Sequence, residues 1–470
     1  MKKKKIYFIG IKGVGMCAYA HICKAFGYAV SGSDTHEKFF TDEVLKRQHI
    51  VFFEGFKKSH ITKDIDLIVV SQAYFRRDRG FVAENPEVKE ALQKNIPLLL
   101  YPEAVAKLFN KCTGIAVCGS HGKTSTTSML GEILKKSGMN TIALIGSEVL
   151  NWKSNALVSI QPDLKKSIHD PIFSDAQLEK VFFAIEADEY REAFLQYFPK
   201  ITVLLNIDYD HPDYYKTKES YTRAFEKFVA QLQQPQLLIT TQRIKISPQI
   251  KIIQPTPYAQ PLSIPGDHYQ NNAAHAAAAA DAIGIPKEII ISALKAWRGV
   301  KRRFEIYGTY KGITLVDDYA HHPTEVASVA NSLRSRGVDT QKTWIVFQSH
   351  TYTRTLELFD DFAKALSLFN HVVILKTYSS AREQTFLKNV LKSEKKKKQA
   401  DGSGLAEVLT NAARKACSEK TAVFVSTHAQ AESYLKKHIQ KGNWVLTVGA
   451  GDGWKILEKL KNFKIAKLKN

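Results

Sequence analysis

Short apolar runs alternate with longer amphipathic stretches along most of this chain. Ile6-Tyr7-Phe8-Ile9 reads as a strand, the turn Gly10-Ile11-Lys12-Gly13-Val14-Gly15 follows, and the apolar spacing from Met16 to Phe26 predicts a helix. The same succession returns at Ile115-Ala116-Val117-Cys118, then Gly119 to Thr124, then a helix from Ser125 to Lys136. Two further strands are predicted at Val181–Ile185 and Ile201–Leu205. Nearer the C-terminus, Thr343–Phe347 predicts a strand, and the amphipathic run from Leu356 to Leu368 a helix. Strands that alternate with helices in this way make an α/β protein, and in the C-terminal part the alternation suits a parallel sheet. No internal repeat is evident.

The second glycine turn carries the clearest chemistry. A strand, a turn closing on Gly122-Lys123-Thr124 and a helix form a phosphate cradle, because backbone N–H groups and the positive end of the helix dipole converge on an anion. Within Gly119-Ser120-His121-Gly122-Lys123-Thr124-Ser125, the glycines admit oxygen close to the backbone, Lys123 offsets β/γ-phosphate charge, and the Thr124 hydroxyl suits Mg²⁺. The general spelling G-x-x-x-x-G-K-[ST] is not met, since its first glycine falls at Val117. A plain strand-to-helix turn with a surface lysine is the alternative reading.

Two predicted strands then end in metal-binding residue types. Val181–Ile185 delivers Glu186-Ala187-Asp188-Glu189, and Ile201–Leu205 delivers Asn206-Ile207-Asp208-Tyr209-Asp210-His211. In open α/β sheets ligands sit outside the carboxyl ends of strands. Oxygen ligands there, with one imidazole, suit Mg²⁺ bridging phosphates.

Composition narrows the class. At 470 residues and 44% hydrophobic, the chain has material for about three domains. Five cysteines, at 17, 23, 112, 118 and 417, form no C-x-x-C pair, which indicates reduced thiols in a cytosol rather than a disulfide framework or zinc site. Met1-Lys2-Lys3-Lys4-Lys5 and the apolar residues after it imitate a secretory signal, but Lys12 and three glycines interrupt the apolar segment. No run of about twenty apolar residues is present to insert in a membrane. The formal charge of +21 is dispersed lysine without a nucleic-acid motif, so it reads as solvated surface that attracts polyanionic small molecules. The densest cluster, Lys395 to Lys398, belongs to a segment up to Ser403 that reads as an exposed, flexible loop.

Several of these motifs occur in the order found in the Mur ligases, the ATP-dependent enzymes that build the peptide of bacterial peptidoglycan. They are Gly119–Thr124, Glu186–Glu189, Asn206–His211, Gly266-Asp267-His268 with Asn272, Lys301-Arg302-Arg303-Phe304-Glu305, and Asp317 to Glu325. The resemblance extends from the first glycine turn to Gly449-Ala450-Gly451-Asp452. It implies three domains: a Rossmann-like UDP-sugar domain over 1–108, a central P-loop-type ATPase domain over 109–298, and a Rossmann-like amino-acid domain over 299–470. The branch it most resembles joins L-alanine to UDP-N-acetylmuramate, with ATP and Mg²⁺. The alternative branch ligates a recycled tripeptide. Ligases for the later peptide units carry a carbamylated lysine where this chain has Phe225, with Lys227 close by.

The family also implies roles. Gly10, Gly13, Val14 and Gly15 would meet the UDP-sugar diphosphate, and Asp34, in Ser31-Gly32-Ser33-Asp34 after a second strand, would continue that pocket. Glu186, His211 and Thr124 would hold Mg²⁺; His268 and Asn272 would meet adenine, although Tyr269 stands where Asn is usual. Arg303 would reach the γ-phosphate and Asp318 the ribose. Tyr319, His321 and Arg354 would surround L-alanine, with Arg382 as a supplement because Thr351 replaces a common arginine. Either His321 or His322 has a simpler alternative role, capping the helix that follows. The stretch from Val229 to Ile264 looks short for the family, as if the central sheet had lost strands. A nicotinamide oxidoreductase would leave Lys123 and the acidic strand ends idle, and a non-enzymatic UDP-sugar sensor would not need Lys123 or Arg303.

Overall fold

The computed structural model describes residues 3–75, 85–167, 170–174, 178–212, 214–264, 266–378, 403–415 and 421–461. The chain divides into two compact units, one made of 1–208, 218–263 and 271–300, the other of 209–217, 264–270 and 301–470.

Two sheets build the first unit. The first contains β1 (Lys5–Ile9), β2 (Ala29–Asp34), β3 (Val51–Glu54), β4 (Leu67–Val70) and β5 (Leu98–Leu100), in the order β3-β2-β1-β4-β5. All its pairings are parallel. β1 and β4 read as unbroken apolar runs because both faces are covered, and Tyr7, Ile9, Ile68 and Val70 are buried with Val88 and Ala91 from the helix Pro86–Gln93. Strand order reverses at β1, so the crevice for a ligand opens beside the turn that follows it.

The second sheet contains β6 (Cys112–Cys118), β7 (Thr141–Val149), β8 (Ser154–Ser159), β9 (Leu178–Glu186), β10 (Ile201–Leu204), β11 (Leu237–Thr240) and β12 (Lys251–Ile253). Their order is β12-β11-β10-β6-β9-β7-β8, and only β8 runs antiparallel, to β7. Two of these strands, β11 and β12, come from the stretch expected to be depleted. Register sets the site: Cys118 pairs with Leu204 and Val117 with Glu186, so β6, β9 and β10 end at one level.

In the second unit lie β13 (Glu305–Tyr310), β14 (Ile313–Asp318), β15 (Thr343–Phe347), β16 (His371–Leu375), β17 (Thr421–Val425) and β18 (Trp444–Val448), ordered β13-β14-β18-β15-β16-β17. The sheet is parallel as expected except for β13, which adds an antiparallel strand at its edge. β13 and β14 form an antiparallel hairpin, because Lys311 and Gly312 both take left-handed conformations and close a two-residue turn. The expected helix Leu356–Leu368 is two helices, Tyr352–Glu357 and Phe359–Leu366, broken at Leu358 where ψ is 27°. Ser31–Asp34 lies within β2 rather than after it. The basic segment 395–402 and Arg382 fall outside the described residues, and Ser403 opens a helix, Ser403–Lys415. No helix among the described residues is long and apolar enough to cross a membrane. Cys17, Cys23, Cys112 and Cys118 are buried free thiols.

Candidate active site

The turn after β6 leads straight into the helix Lys123–Lys136, so Lys123 and Thr124 stand in its first turn rather than ahead of it. Gly122 caps that helix at φ 86°, a left-handed conformation that a side chain would strain. A Cβ there would also come within 2.5 Å of Asn272 Oδ1, which places Asn272 against the turn. Asn206, just past β10, holds the turn from the other side: its Oδ1 accepts the His121 N–H at 2.9 Å and its Nδ2 donates to His121 O at 3.0 Å. Ser120 Oγ donates to Asp208 O at 2.5 Å and lies 2.8 Å from the Tyr221 hydroxyl. Ser125 is buried in the helix.

Lys123 folds over its own turn. Its ammonium donates to Gly119 O at 2.5 Å and to Glu189 Oε2 at 2.8 Å. Burial pulls the Lys123 pKa down, but Glu189, Asp188 and Glu186 together outweigh burial and leave it above the usual lysine value. The Thr124 hydroxyl donates to Glu186 Oε2 at 3.1 Å, and Glu186 Oε1 accepts the Gly146 N–H at 2.6 Å. Two hard oxygens thus meet at the helix start beside a permanent cation. That arrangement fits a phosphate–Mg²⁺ site, where the metal takes one or two protein oxygens and completes its shell from water and phosphate. Among the described residues no group of three or more His, Cys, Asp and Glu is set to hold a metal ion.

The turn after β1 is braced from beneath. Asp34 Oδ2 accepts the Lys12 N–H at 2.7 Å and Asp34 Oδ1 accepts the Tyr74 hydroxyl at 3.1 Å, so the carboxylate expected to face a ligand fixes the turn itself. The Lys12 side chain is fully buried, and its ammonium donates to Thr35 O and Glu37 O, each at 3.0 Å. Gly13 donates its N–H to Gly10 O at 3.1 Å, and Val14 and Gly15 begin the helix Val14–Ala25.

In the second unit, Asp210 and Arg354 form a buried fork. Arg354 Nε donates to Asp210 Oδ1 at 2.9 Å and Nη2 to Oδ2 at 3.2 Å. Burial raises the Asp210 pKa, but Arg354 first, then His211 and His321, hold it well below the usual carboxylate range. The guanidinium expected beside L-alanine is therefore already paired with a carboxylate, because a buried cation needs a buried counter-charge. His211, on the same loop as Asp210, also belongs to this unit. The His321 ring lies 5.3 Å from the Tyr319 ring, and burial lowers its pKa to about 3, so it is neutral at pH 7. His322 is the capping residue: its Nδ1 accepts the Thr324 N–H at 3.3 Å, while Glu325 accepts the N–H groups of His321 and His322.

Arg303 lies over the Tyr319 ring, 5.3 Å from its centre, and reaches Glu325 at 3.4 Å. Asp318 accepts N–H groups from Phe304 and Ala320, both at 2.7 Å, and burial raises its pKa to about 7 against the pull of Arg303. His268 has its pKa lowered to about 4, by burial first and Arg303 second. Tyr269 is buried beside it. The Gly266–Asn272 motif straddles the two units, 264–270 in the second and 271 onward in the first.

Phe225 is fully buried, with its ring edge-on to Phe194 at 5.5 Å and near Tyr221 at 5.1 Å. Lys227 points outward, 60% exposed, in an ion pair with Glu192. Both lie on the helix Lys218–Val229, which presents phenylalanine and not lysine at the family position. Glu189, Asn206 and Asp210 were each inside a recognised motif yet carried no expected role; the signal was their position at strand ends, where buried partners for Lys123, the glycine turn and Arg354 are needed.

Three family models match in succession: the Mur ligase family catalytic domain over residues 5–113, the Mur ligase middle domain over 117–257, and the Mur ligase glutamate ligase domain over 302–451. The UDP-N-acetylmuramate–L-alanine ligase of Desulfitobacterium hafniense (strain Y51) is 33% identical over 491 residues, covering 97% of this chain and 99% of that protein. Among solved structures, the UDP-N-acetylmuramate-alanine ligase MurC of Thermotoga maritima has a TM-score of 0.71 at 22% identity, covering 97% of this chain and 99% of the other. A murein peptide ligase from Psychrobacter arcticus 273-4 has a TM-score of 0.66 at 21% identity, covering 98% and 99%. These two likenesses show the shared fold. The chain belongs to the Mur ligase family of ATP-dependent ligases.

Proposed function

We propose that this protein joins L-alanine to the lactyl carboxylate of UDP-N-acetylmuramate at the expense of ATP, the first peptide step of peptidoglycan precursor synthesis. One observation carries the chemistry: Lys123 and the Thr124–Glu186 pair converge at the start of one helix. The acceptor follows from the likeness to the D. hafniense ligase, and the buried Phe225 agrees with a branch that has no carbamylated lysine. We assign 1–108 to the UDP-sugar, 109–298 to ATP and 299–470 to the amino acid, and place the enzyme in the cytoplasm with its nucleotide substrates.

A carboxylate resists amine attack because its charge repels nucleophiles and its oxygen is a poor leaving group. Transfer of the γ-phosphoryl group to that carboxylate releases ADP and gives an acyl phosphate. The amine then attacks the acyl carbon, the C–O bond breaks and phosphate departs. In the first unit the backbone of Gly119–Gly122, with Lys123, Thr124 and Ser125, holds the ATP phosphates, Asn272 meets the base, and Gly10, Gly13, Val14 and Gly15 receive the UDP diphosphate. In the second unit Arg303 meets the γ-phosphate, Asp318 the ribose and His268 the adenine. Tyr319 and His321 face the amino acid. His321 is neutral at pH 7 and burial opposes its protonation, so it faces the amino acid as a neutral hydrogen-bonding group, and the proton that the ammonium loses before attack leaves to solvent. Arg354 supports them through Asp210. Thr124 and Glu186, with His211 by family resemblance, hold Mg²⁺, which when bound offsets phosphate charge.

Phosphate release measured with UDP-N-acetylmuramate, ATP, Mg²⁺ and each candidate acceptor tests this reading. Release is expected with L-alanine and not with L-Ala-γ-D-Glu-meso-diaminopimelate. The reverse pattern would move the chain to the tripeptide-recycling branch. Glu186→Gln keeps an acceptor for the Gly146 N–H but halves the hard-oxygen pair, so the Mg²⁺ concentration for half-maximal rate should rise by about tenfold or more while the melting temperature holds. A melting loss with no change in metal demand would make Glu186 a structural residue.

A further inference from the structure

Tyr101 stands at the junction of the two sheets of the first unit. It follows β5 directly and opens the helix Tyr101–Phe109, which leads into β6. The Glu103 carboxylate accepts the Leu100 N–H at 2.9 Å and fixes the backbone at this corner. The Tyr101 ring occupies the space beside Gly15: a Cβ built on Gly15 would lie 2.2 Å from Tyr101 Oη and 2.4 Å from Cζ. Gly15 is therefore a glycine because the phenol needs its place. The spacing of the glycine turn does not reveal this.

Burial first, then Tyr197 and the carboxylates of Glu186 and Asp188, push the Tyr101 phenol well above the ordinary range, so it remains an O–H donor at any physiological pH. Glu186 is the carboxylate that receives the Thr124 hydroxyl. The Tyr101 hydroxyl itself has no hydrogen-bond partner among the described residues. Its oxygen is not among the buried polar atoms left without a partner, so it is open to solvent and to a ligand that reaches the turn. Tyr101 as a residue is half-buried, so an acceptor can reach it from outside.

We infer that the Tyr101 hydroxyl, standing beside Gly15 in the glycine turn after β1, donates a hydrogen bond to an anionic oxygen of the UDP-sugar. This rests on the substrate proposed above. It makes Tyr101 the residue that sets how far the sugar nucleotide extends from its diphosphate turn toward the phosphoryl-transfer site. The oxygen belongs either to the diphosphate or to the lactyl carboxylate, and a substrate lacking the latter separates them.

Tyr101→Phe keeps the ring against Gly15 and removes only the donor. Its KM for UDP-N-acetylmuramate should rise by about tenfold, the size of one hydrogen bond to a charged group, while KM for ATP stays within about twofold and the melting temperature holds. UDP-N-acetylglucosamine has the diphosphate but no lactyl group. If its calorimetric affinity falls in the variant as well, the diphosphate is the acceptor; if it does not, the lactyl carboxylate is. An unchanged KM for the UDP-sugar, or equal losses for ATP and in melting temperature, would overturn the inference. Absence of turnover in the unmodified enzyme would count against the proposed function instead, and calorimetry with UDP-N-acetylmuramate on both proteins would still decide the role of Tyr101.

Discussion

Removing the Lys123 ammonium should lower turnover by roughly 10²–10³-fold, the loss typical of one preorganised charge-stabilising donor. Lys123→Ala alone is a poor test of that expectation. Glu189 is 1% exposed and pairs with Lys123, so the single variant leaves a buried carboxylate without its cation, at a cost of about 3–5 kcal/mol. The variant that isolates catalysis is Lys123→Ala with Glu189→Gln. Glutamine keeps an acceptor for the Tyr221 hydroxyl, which lies 3.3 Å from Glu189 Oε1. The double variant should regain most of the melting temperature lost by Lys123→Ala and none of the turnover. Near-normal phosphate release from it would remove Lys123 from the phosphoryl-transfer site.

Breaking the Asp210–Arg354 fork should cost about 3–5 kcal/mol from either side, since each change strands a buried charge. The double variant Asp210→Asn with Arg354→Met should lose clearly less than the sum, and a denaturation cycle measures the coupling. The fork also leaves a pH signature. The folded Asp210 pKa lies below the unfolded value of 3.8, so its contribution is complete above that pH and disappears as pH falls further. His321, lowered from 6.5 to about 3, acts over a different window: its neutral form is favoured by folding, and that stability is lost as pH drops from 6.5 toward 3. His268, lowered to about 4, adds to the upper part of the same window. Asp210→Asn should therefore leave the decline between pH 6.5 and about 4 in place and flatten the decline below it. A variant whose profile differs from the parent mainly near neutrality would contradict this assignment.

The strands and glycine turns were legible because each is encoded locally. Ile6–Ile9, Ile115–Cys118, Val181–Ile185 and Ile201–Leu204 are short, almost wholly apolar runs within β1, β6, β9 and β10, and such a run needs no partner to be recognised. The phosphate-type turn was legible despite Val117, since Gly122-Lys123-Thr124 between a strand and a helix has few other uses. What escaped were pairings between distant residues. Neither the Lys123–Glu189 nor the Asp210–Arg354 pair follows from spacing, the latter joining residues 144 positions apart. Asp34 was assigned to the UDP-sugar pocket by family resemblance; its bonds to Lys12 and Tyr74 depend on how the β1 turn folds beneath it. The antiparallel β13 was missed because the hairpin turn Lys311-Gly312 follows a boundary where a parallel unit was expected.

That hairpin also affects how the protein meets its own kind at high concentration. Without β13, the sheet would end at β14, a regular strand whose open N–H and C=O groups invite another chain to add on. β13 takes that position, and its register slips between Ile306 and Gly308. A slipped, twisted border is a poor template for strand-to-strand growth. The strand that carries Asp317 and Asp318 is thereby kept two-sided, and the hairpin works as a guard against aggregation as much as a part of the fold.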